Sequence, residues 1–142
     1  MKHISLVVAV GALLVGALVA PAEAGNIKFG RVWAADKVLR EGCHGYRYQY
    51  VVRPRASDWM FETFLHAPSG RTLASNTVDS DVSRRRDSGH YRICGYATRP
   101  GRFKIAGKLT WQTCNNLPGP FHECTKHVRW VKPGYFRMRR PG

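Results

Sequence analysis

The chain of 142 residues carries 23 lysines and arginines against 9 aspartates and glutamates, a formal net charge of +14, and four cysteines. Its length holds one domain with a single modest core, and beyond Val19 no stretch is apolar enough to span a bilayer. A positive excess of this size favours polyanionic surroundings, namely nucleic acid, anionic lipid, phosphate-rich wall polymers or acidic glycans, without choosing among them.

The N-terminus has the three parts of a secretory signal peptide. Lys2 and His3 open it, an apolar run extends from Ile4 to Val19, and Ala22-Glu23-Ala24 closes it with the small-x-small pattern of a cleavage site. The sequence therefore predicts cleavage after Ala24 and a single domain over residues 25–142. A membrane anchor is the competing reading, disfavoured because the apolar run is short for a bilayer and no basic stop-transfer cluster follows it.

Ile27 to Trp33 is a weak strand, and Ala34 to Arg40 fits a helical turn or an edge strand. Cys43 to Arg53 is a strong strand, because Tyr46, Tyr48, Tyr50 and Val52 share one parity and Pro54 ends the run. The tyrosine stripe reads first as the core face of a sheet, and second as a platform on which sugars or bases stack. Trp59 to His66 and Arg71 to Val78 form a hairpin around Ala67-Pro68-Ser69-Gly70. Asp79 to Ser88 reads as a charged loop with little to bury. Its Asp79-x-Asp81 start is too sparse for a calcium loop and lies beside three cations, Arg84, Arg85 and Arg86.

Tyr91 to Ala97 and Arg102 to Trp111 read as a second, central hairpin joined by Thr98-Arg99-Pro100-Gly101. Phe103, Ile105, Leu109 and Trp111 fall on one parity, with Lys104, Lys108 and Thr110 on the other. Asn115 to Pro120 is turn-rich. His127 to Val131 reads as a strand with Val128 and Trp130 inward and Arg129 outward, and Lys132-Pro133-Gly134 turns again. Tyr135 to Arg140 alternates Phe136 and Met138 with Arg137 and Arg139, so that with Arg140 the chain closes on a basic edge. Short runs punctuated by Pro-Gly and Ser-Gly turns predict an all-β antiparallel sandwich of about seven to eight strands.

An even number of cysteines in an exported chain predicts two disulfides, with three connectivities open. Cys114 with Cys124 is favoured because both flank the short turn-rich loop, which leaves Cys43 to pair with Cys94. A zinc site built from Cys114, His122, Cys124 and His127 is the weaker alternative, since no Cys-x-x-Cys pair is present.

Searching for chemistry returns little. His122-Glu123 followed by His127 misses metalloprotease spacing by one residue. There is no Gly-x-Ser-x-Gly elbow, no phosphate loop between a strand and a helix, and no favoured carboxylate pair among Asp58, Glu62 and Glu123. The sequence predicts neither an enzyme nor a metal or cofactor.

Asp87-Ser88-Gly89-His90-Tyr91-Arg92-Ile93-Cys94 resembles the Asp-x-Gly/Ala-x-Tyr-x-Cys signature of immunoglobulin-like sandwiches. The resemblance implies that Tyr91 bonds upstream backbone, that Cys94 bridges the two sheets to Cys43, and that Trp59 packs on that bridge. Ile93 departs from the signature as an extra residue. In a regular strand it faces the core with Tyr91 while Cys94 faces away, so either bulges turn the cysteines inward or the bridge lies outside the core.

The function expected from these observations is a secreted basic binding module for an anionic polymer, an envelope surface or an acidic protein, without specific nucleic-acid recognition. Three basic sets are its candidate contacts: Arg84, Arg85 and Arg86; Lys104 and Lys108; and Arg137, Arg139 and Arg140. The alternative is a secreted inhibitor or cationic antimicrobial acting through the loop between Cys114 and Cys124, with Pro118 and Phe121 at its tip.

Overall fold

The computed structural model describes residues 25–115 and 123–142, and the signal-peptide reading and the Pro118 and Phe121 loop tip lie outside them. Nine strands are found among these residues: β1 Gly30–Trp33, β2 Lys37–Val38, β3 Cys43–Val52, β4 Trp59–His66, β5 Thr72–Asp79, β6 Arg86–Cys94, β7 Gly101–Cys114, β8 Cys124–Trp130 and β9 Gly134–Arg139. They form a three-stranded sheet, β1-β3-β6, and a six-stranded sheet, β2-β9-β7-β4-β5, with β8 also on β7. The protein is therefore all-β with two disulfides, Cys43–Cys94 and Cys114–Cys124.

The centre of the large sheet is β7. One of its edges pairs with β4, while the other pairs first with β9 and then with β8. Phe103, Ile105, Leu109 and Trp111 on its inner face are all buried, as their parity requires. Between β8 and β9 the chain kinks at Val131 and Pro133, and Val131 stays attached through its N–H to the Gly107 carbonyl. There β1 crosses over: the Val32 N–H donates to the Lys132 carbonyl and the Lys132 N–H to the Gly30 carbonyl, a parallel bridge that ties the small sheet to the large one.

In the small sheet, β3 and β6 pair without a register break from Cys43↔Cys94 to Val51↔Arg86. Tyr46, Tyr48, Tyr50, Tyr91 and Ile93 are buried, so the tyrosine stripe is core and not a ligand platform. Tyr48 stacks on Tyr91 at 4.5 Å between centroids, and Tyr50 meets Phe61 of the facing sheet at 5.3 Å. The Tyr48 hydroxyl accepts bonds from Thr63 Oγ1 and Asn76 Nδ2, each at 3.0 Å, which satisfies a polar atom where water is excluded. Tyr48 lies over Gly89, where an added Cβ would come within 2.4 Å of its hydroxyl. Gly89 is thus small for the sake of this contact.

Several sequence expectations change. The central hairpin is not a hairpin: β6 pairs with β3 and β7 with β4, β8 and β9. A 3-10 turn at Gly95–Ala97 carries the chain from one sheet to the other. Local turn chemistry cannot tell a link within a sheet from a link between sheets. Arg86 to Ser88 belong to β6 and not to a loop, because β3 supplies their partners. Val128 and Trp130 face outward and Arg129 inward, because Arg129 pairs with inward Leu109; its guanidinium caps the Phe29 ring at 5.7 Å. Residues 37–38 are an edge strand that pairs in parallel with β9, so β9 is covered and does not form the sheet edge there. The Trp59-to-Val78 hairpin is present, turned by Gly70 at φ 84°.

The residues of the immunoglobulin-like signature take specific places. Cys43 and Cys94 are directly opposite within one sheet and no bulge turns them inward, so their bridge lies on the outer side, not across the sheets. The buried Tyr91 hydroxyl has no hydrogen-bond partner. Trp59 pairs with Trp111 at the start of β4, near the Tyr50 end of β3 and away from the bridge.

Burial raises the Tyr91 phenol well above its ordinary range, outweighing the lowering by the nearby Thr63 hydroxyl, and burial also raises Tyr50. An acid whose folded-state pKa is raised stabilises the fold below its unfolded value and loses that stabilisation as pH climbs beyond it. Above pH ~10 Tyr91 should cost about 1.4 kcal/mol per pH unit, with Tyr50 adding to the decline in the same direction. Chemical-denaturation midpoints should thus fall between pH 9 and 11, with Tyr91→Phe flattening the decline. A decline of equal slope in that variant would contradict the assignment.

Candidate anion-binding face

Inward tyrosines force the alternate residues of β1, β3 and β6 outward. Their register sets them in rows: Arg31, Val51 and Arg86; Trp33, Gln49 and Ser88; Arg47 and His90; Gly45 and Arg92. Four arginines and a histidine therefore share the outer face of the small sheet, and no aspartate or glutamate occupies an outward strand position there. Asp87 is on the other parity, at the rim opposite Tyr50. The Arg31 guanidinium lies 4.7 Å from the Trp33 ring centroid, which holds it flat against the face.

From Arg86 to Arg92 the face runs ~20 Å along β6 at the rise of an extended strand. Arg47 and Arg92 are diagonal neighbours on adjacent strands, with backbones about 8 Å apart. In water two such charges repel by about 0.5 kcal/mol, small enough for the fold to carry and relieved when an anion lies between them. Beside the Arg47–His90 row is a shallow cavity of about 390 Å³, where Lys37, Arg40 and His44 add basic groups and Asp36 is the one lining acid.

The three sets expected from sequence separate. Arg86 belongs to the arginine face. Arg84 and Arg85 are exposed just before β6, and Arg85 Nη2 donates to the Ala56 carbonyl at 3.2 Å. Lys104, Arg137 and Arg139 share the opposite face of the molecule, on the outer side of β7 and β9, where Arg102 pairs with Arg137. Lys108 is neutralised by Glu62 at 2.6 Å. Arg139 has a long, exposed contact with Asp36 at 4.0 Å, and Arg140 is exposed beyond β9.

Arg31, Arg47 and Arg92 escape the sequence reading because they are single arginines, not a run. Their signal is the polar parity of Tyr46-Arg47-Tyr48 and Tyr91-Arg92-Ile93, which becomes a cluster only when Cys43 is set opposite Cys94. The zinc alternative loses its thiolates, since Cys114 and Cys124 are bonded to each other. Asp79 Oδ1 accepts from the N–H groups of Asp81 and Val82, which makes it a turn cap.

Beyond Trp111, β7 and β8 continue as a two-stranded arm whose described residues are almost all exposed, with the Cys114–Cys124 bridge across it. No helix among the described residues is long and apolar enough to cross a membrane, and two disulfides fit an extracellular protein. No protein-family model matches the chain, and no curated protein matches it.

The two bridges should differ in weight. Cys43–Cys94 spans 51 residues and Cys114–Cys124 spans 10. Loop-closure entropy assigns them about 4 and about 3 kcal/mol, and the second also closes an arm with little core to anchor. Denaturant titration should show Cys43→Ser/Cys94→Ser losing several kcal/mol and Cys114→Ser/Cys124→Ser losing less. The reverse order would show that the arm is integral to the core.

Proposed function

We propose that this protein is a secreted binding module, and that its partner is an extended anionic polymer at the cell envelope or outside the cell. The observation that carries this reading is the outer face of the small sheet, where Arg31, Arg47, Arg86, Arg92 and His90 meet no outward acid. An array of guanidinium groups set out at strand spacing on a fixed backbone suits a chain of phosphates, sulfates or carboxylates better than a compact ligand. Export follows from the leader pattern ending at Ala24 and is supported by the two disulfides.

We read the protein as non-enzymatic; the support is the sequence, which has no Gly-x-Ser-x-Gly elbow, no phosphate loop and no favoured carboxylate pair. We also read the two packed sheets as a sandwich that is immunoglobulin-like in architecture alone; the support is the core shared by Tyr50 and Phe61, since the Cys43–Cys94 bridge within one sheet and the unbonded Tyr91 hydroxyl depart from that signature. The exposed, disulfide-tied β7–β8 arm favours a second reading, an inhibitor or antimicrobial that presents the loop between Cys114 and Cys124.

Binding of the secreted protein to an immobilised polyphosphate across a salt series tests the main reading. Arg47→Glu/Arg92→Glu should lower affinity at least about tenfold and reduce the slope of log affinity against log salt by about 2. Reversal of Arg84 and Arg85 should do less. An unchanged slope in the Arg47/Arg92 variant would remove the face from the account and turn attention to the arm.

A further inference from the structure

The opposite side of the molecule has a groove that the arginine face does not use. On the outer side of the large sheet, His66, Lys104 and Tyr135 form one row across β4, β7 and β9. Two shallow cavities, of about 340 and 410 Å³, meet along that row and share His66 and Lys104. Trp130 walls the first and Tyr135 the second, and Ala106 gives the first a low floor.

Each wall has a neighbouring side chain against it. Trp130 leans on Phe64 at 6.1 Å, and the Arg102 guanidinium lies 4.2 Å from the Tyr135 centroid. His66 Nδ1 is engaged with Thr72 Oγ1 at 3.1 Å, which leaves Nε2 as its free ring nitrogen. Lys104 has no ion pair among the described residues, in contrast to Lys108 two positions along the same face, which Glu62 holds. The groove is thus a pair of aromatic walls with unpaired positive charge between them.

We propose that this groove binds an acidic oligosaccharide, with the apolar faces of two sugars against Trp130 and Tyr135 and a carboxylate or sulfate on Lys104, His66 and Arg102. Aromatic side chains offer an apolar body to such ring faces, and cations pair strongly with the acid groups. Trp130 pairs with Lys108 and Tyr135 with Lys104, so the backbone positions that carry the two rings are ~13 Å apart along the sheet. Bases of a single strand stack on successive platforms, and rings that far apart with cations between them do not supply one. A wholly apolar ligand would strip water from Lys104 and Arg102 without replacing it.

The test is calorimetric titration of the secreted protein with four probes of matched length: hexagalacturonate, a heparin-derived sulfated hexasaccharide, cellohexaose and hexathymidylate. At least one acidic sugar should bind about tenfold tighter than cellohexaose, and whichever acid binds tighter identifies carboxylate or sulfate as the group read. Trp130→Ala and Lys104→Gln should each weaken that binding by about fivefold to tenfold. Arg47→Glu, on the far face, should change it less than about twofold, which separates this site from the polymer-binding face. Lys104→Gln changes only a partly exposed side chain, so it keeps the test decisive if Trp130→Ala does not fold. Absence of acidic-sugar binding, binding unmoved by Lys104→Gln, or hexathymidylate binding as tight as the sugars would each overturn the proposal. So would a loss that appears only in Arg47→Glu.

Discussion

The pairing of β3 with β6 is the constraint on which the rest depends. With Cys43 opposite Cys94 and no bulge between them and Val51↔Arg86, every residue of the two strands has its face assigned. A slip of β3 by one residue would turn Tyr46, Tyr48, Tyr50 and Val52 to solvent and bring Arg47 into the core, a cost no surface contact could offset. Tyr48 over Gly89 reinforces the register, because only a residue without Cβ leaves room for the ring there. The basic face is thus the obligatory reverse of the tyrosine core. Whatever it binds meets guanidinium groups whose backbone positions are already fixed, so the ordering that remains on binding is that of the side chains.

The charge is divided between two faces that point away from each other. Arg31, Arg47, Arg86 and Arg92 are on the small sheet, and Arg102, Lys104 and Arg137 on the large one. Partition of this kind lowers the self-repulsion that a net charge of +14 would impose if gathered on one side. It also gives the two sides different characters. The small-sheet face is a sheet surface with Trp33 stacked by Arg31, whereas the large-sheet face has cavities lined by Trp130 and by Tyr135 with its Arg102 partner.

Much of the fold was legible in the sequence because period-two alternation is a local signal. Tyr46, Tyr48 and Tyr50, Phe103 and Ile105, and Phe136 and Met138 all face the core as their parity demands, and the bridge favoured from its short spacing, Cys114–Cys124, is present with the pair it leaves, Cys43–Cys94. What was not legible is which strand sits beside which. The Pro100-Gly101 turn looks like a hairpin turn but joins two sheets, and β8 is inverted because its register on β7, not its own composition, sets its faces. The candidate face suffered from the same gap. Arg86 was visible as part of a run, while Arg31, Arg47 and Arg92 are contributed singly by three strands that only the fold assembles.

The most direct measurement of the central claim is an amide and guanidinium NMR titration of the folded protein with a soluble polyphosphate at physiological salt. Saturable shifts are expected, concentrated on Arg31, Arg47, Arg86, His90 and Arg92, with Lys108 and the β7–β8 arm unmoved. Shifts spread evenly over every exposed arginine and lysine, or confined to residues near Cys114 and Cys124, would contradict it and show that the small-sheet face is basic without being a binding site.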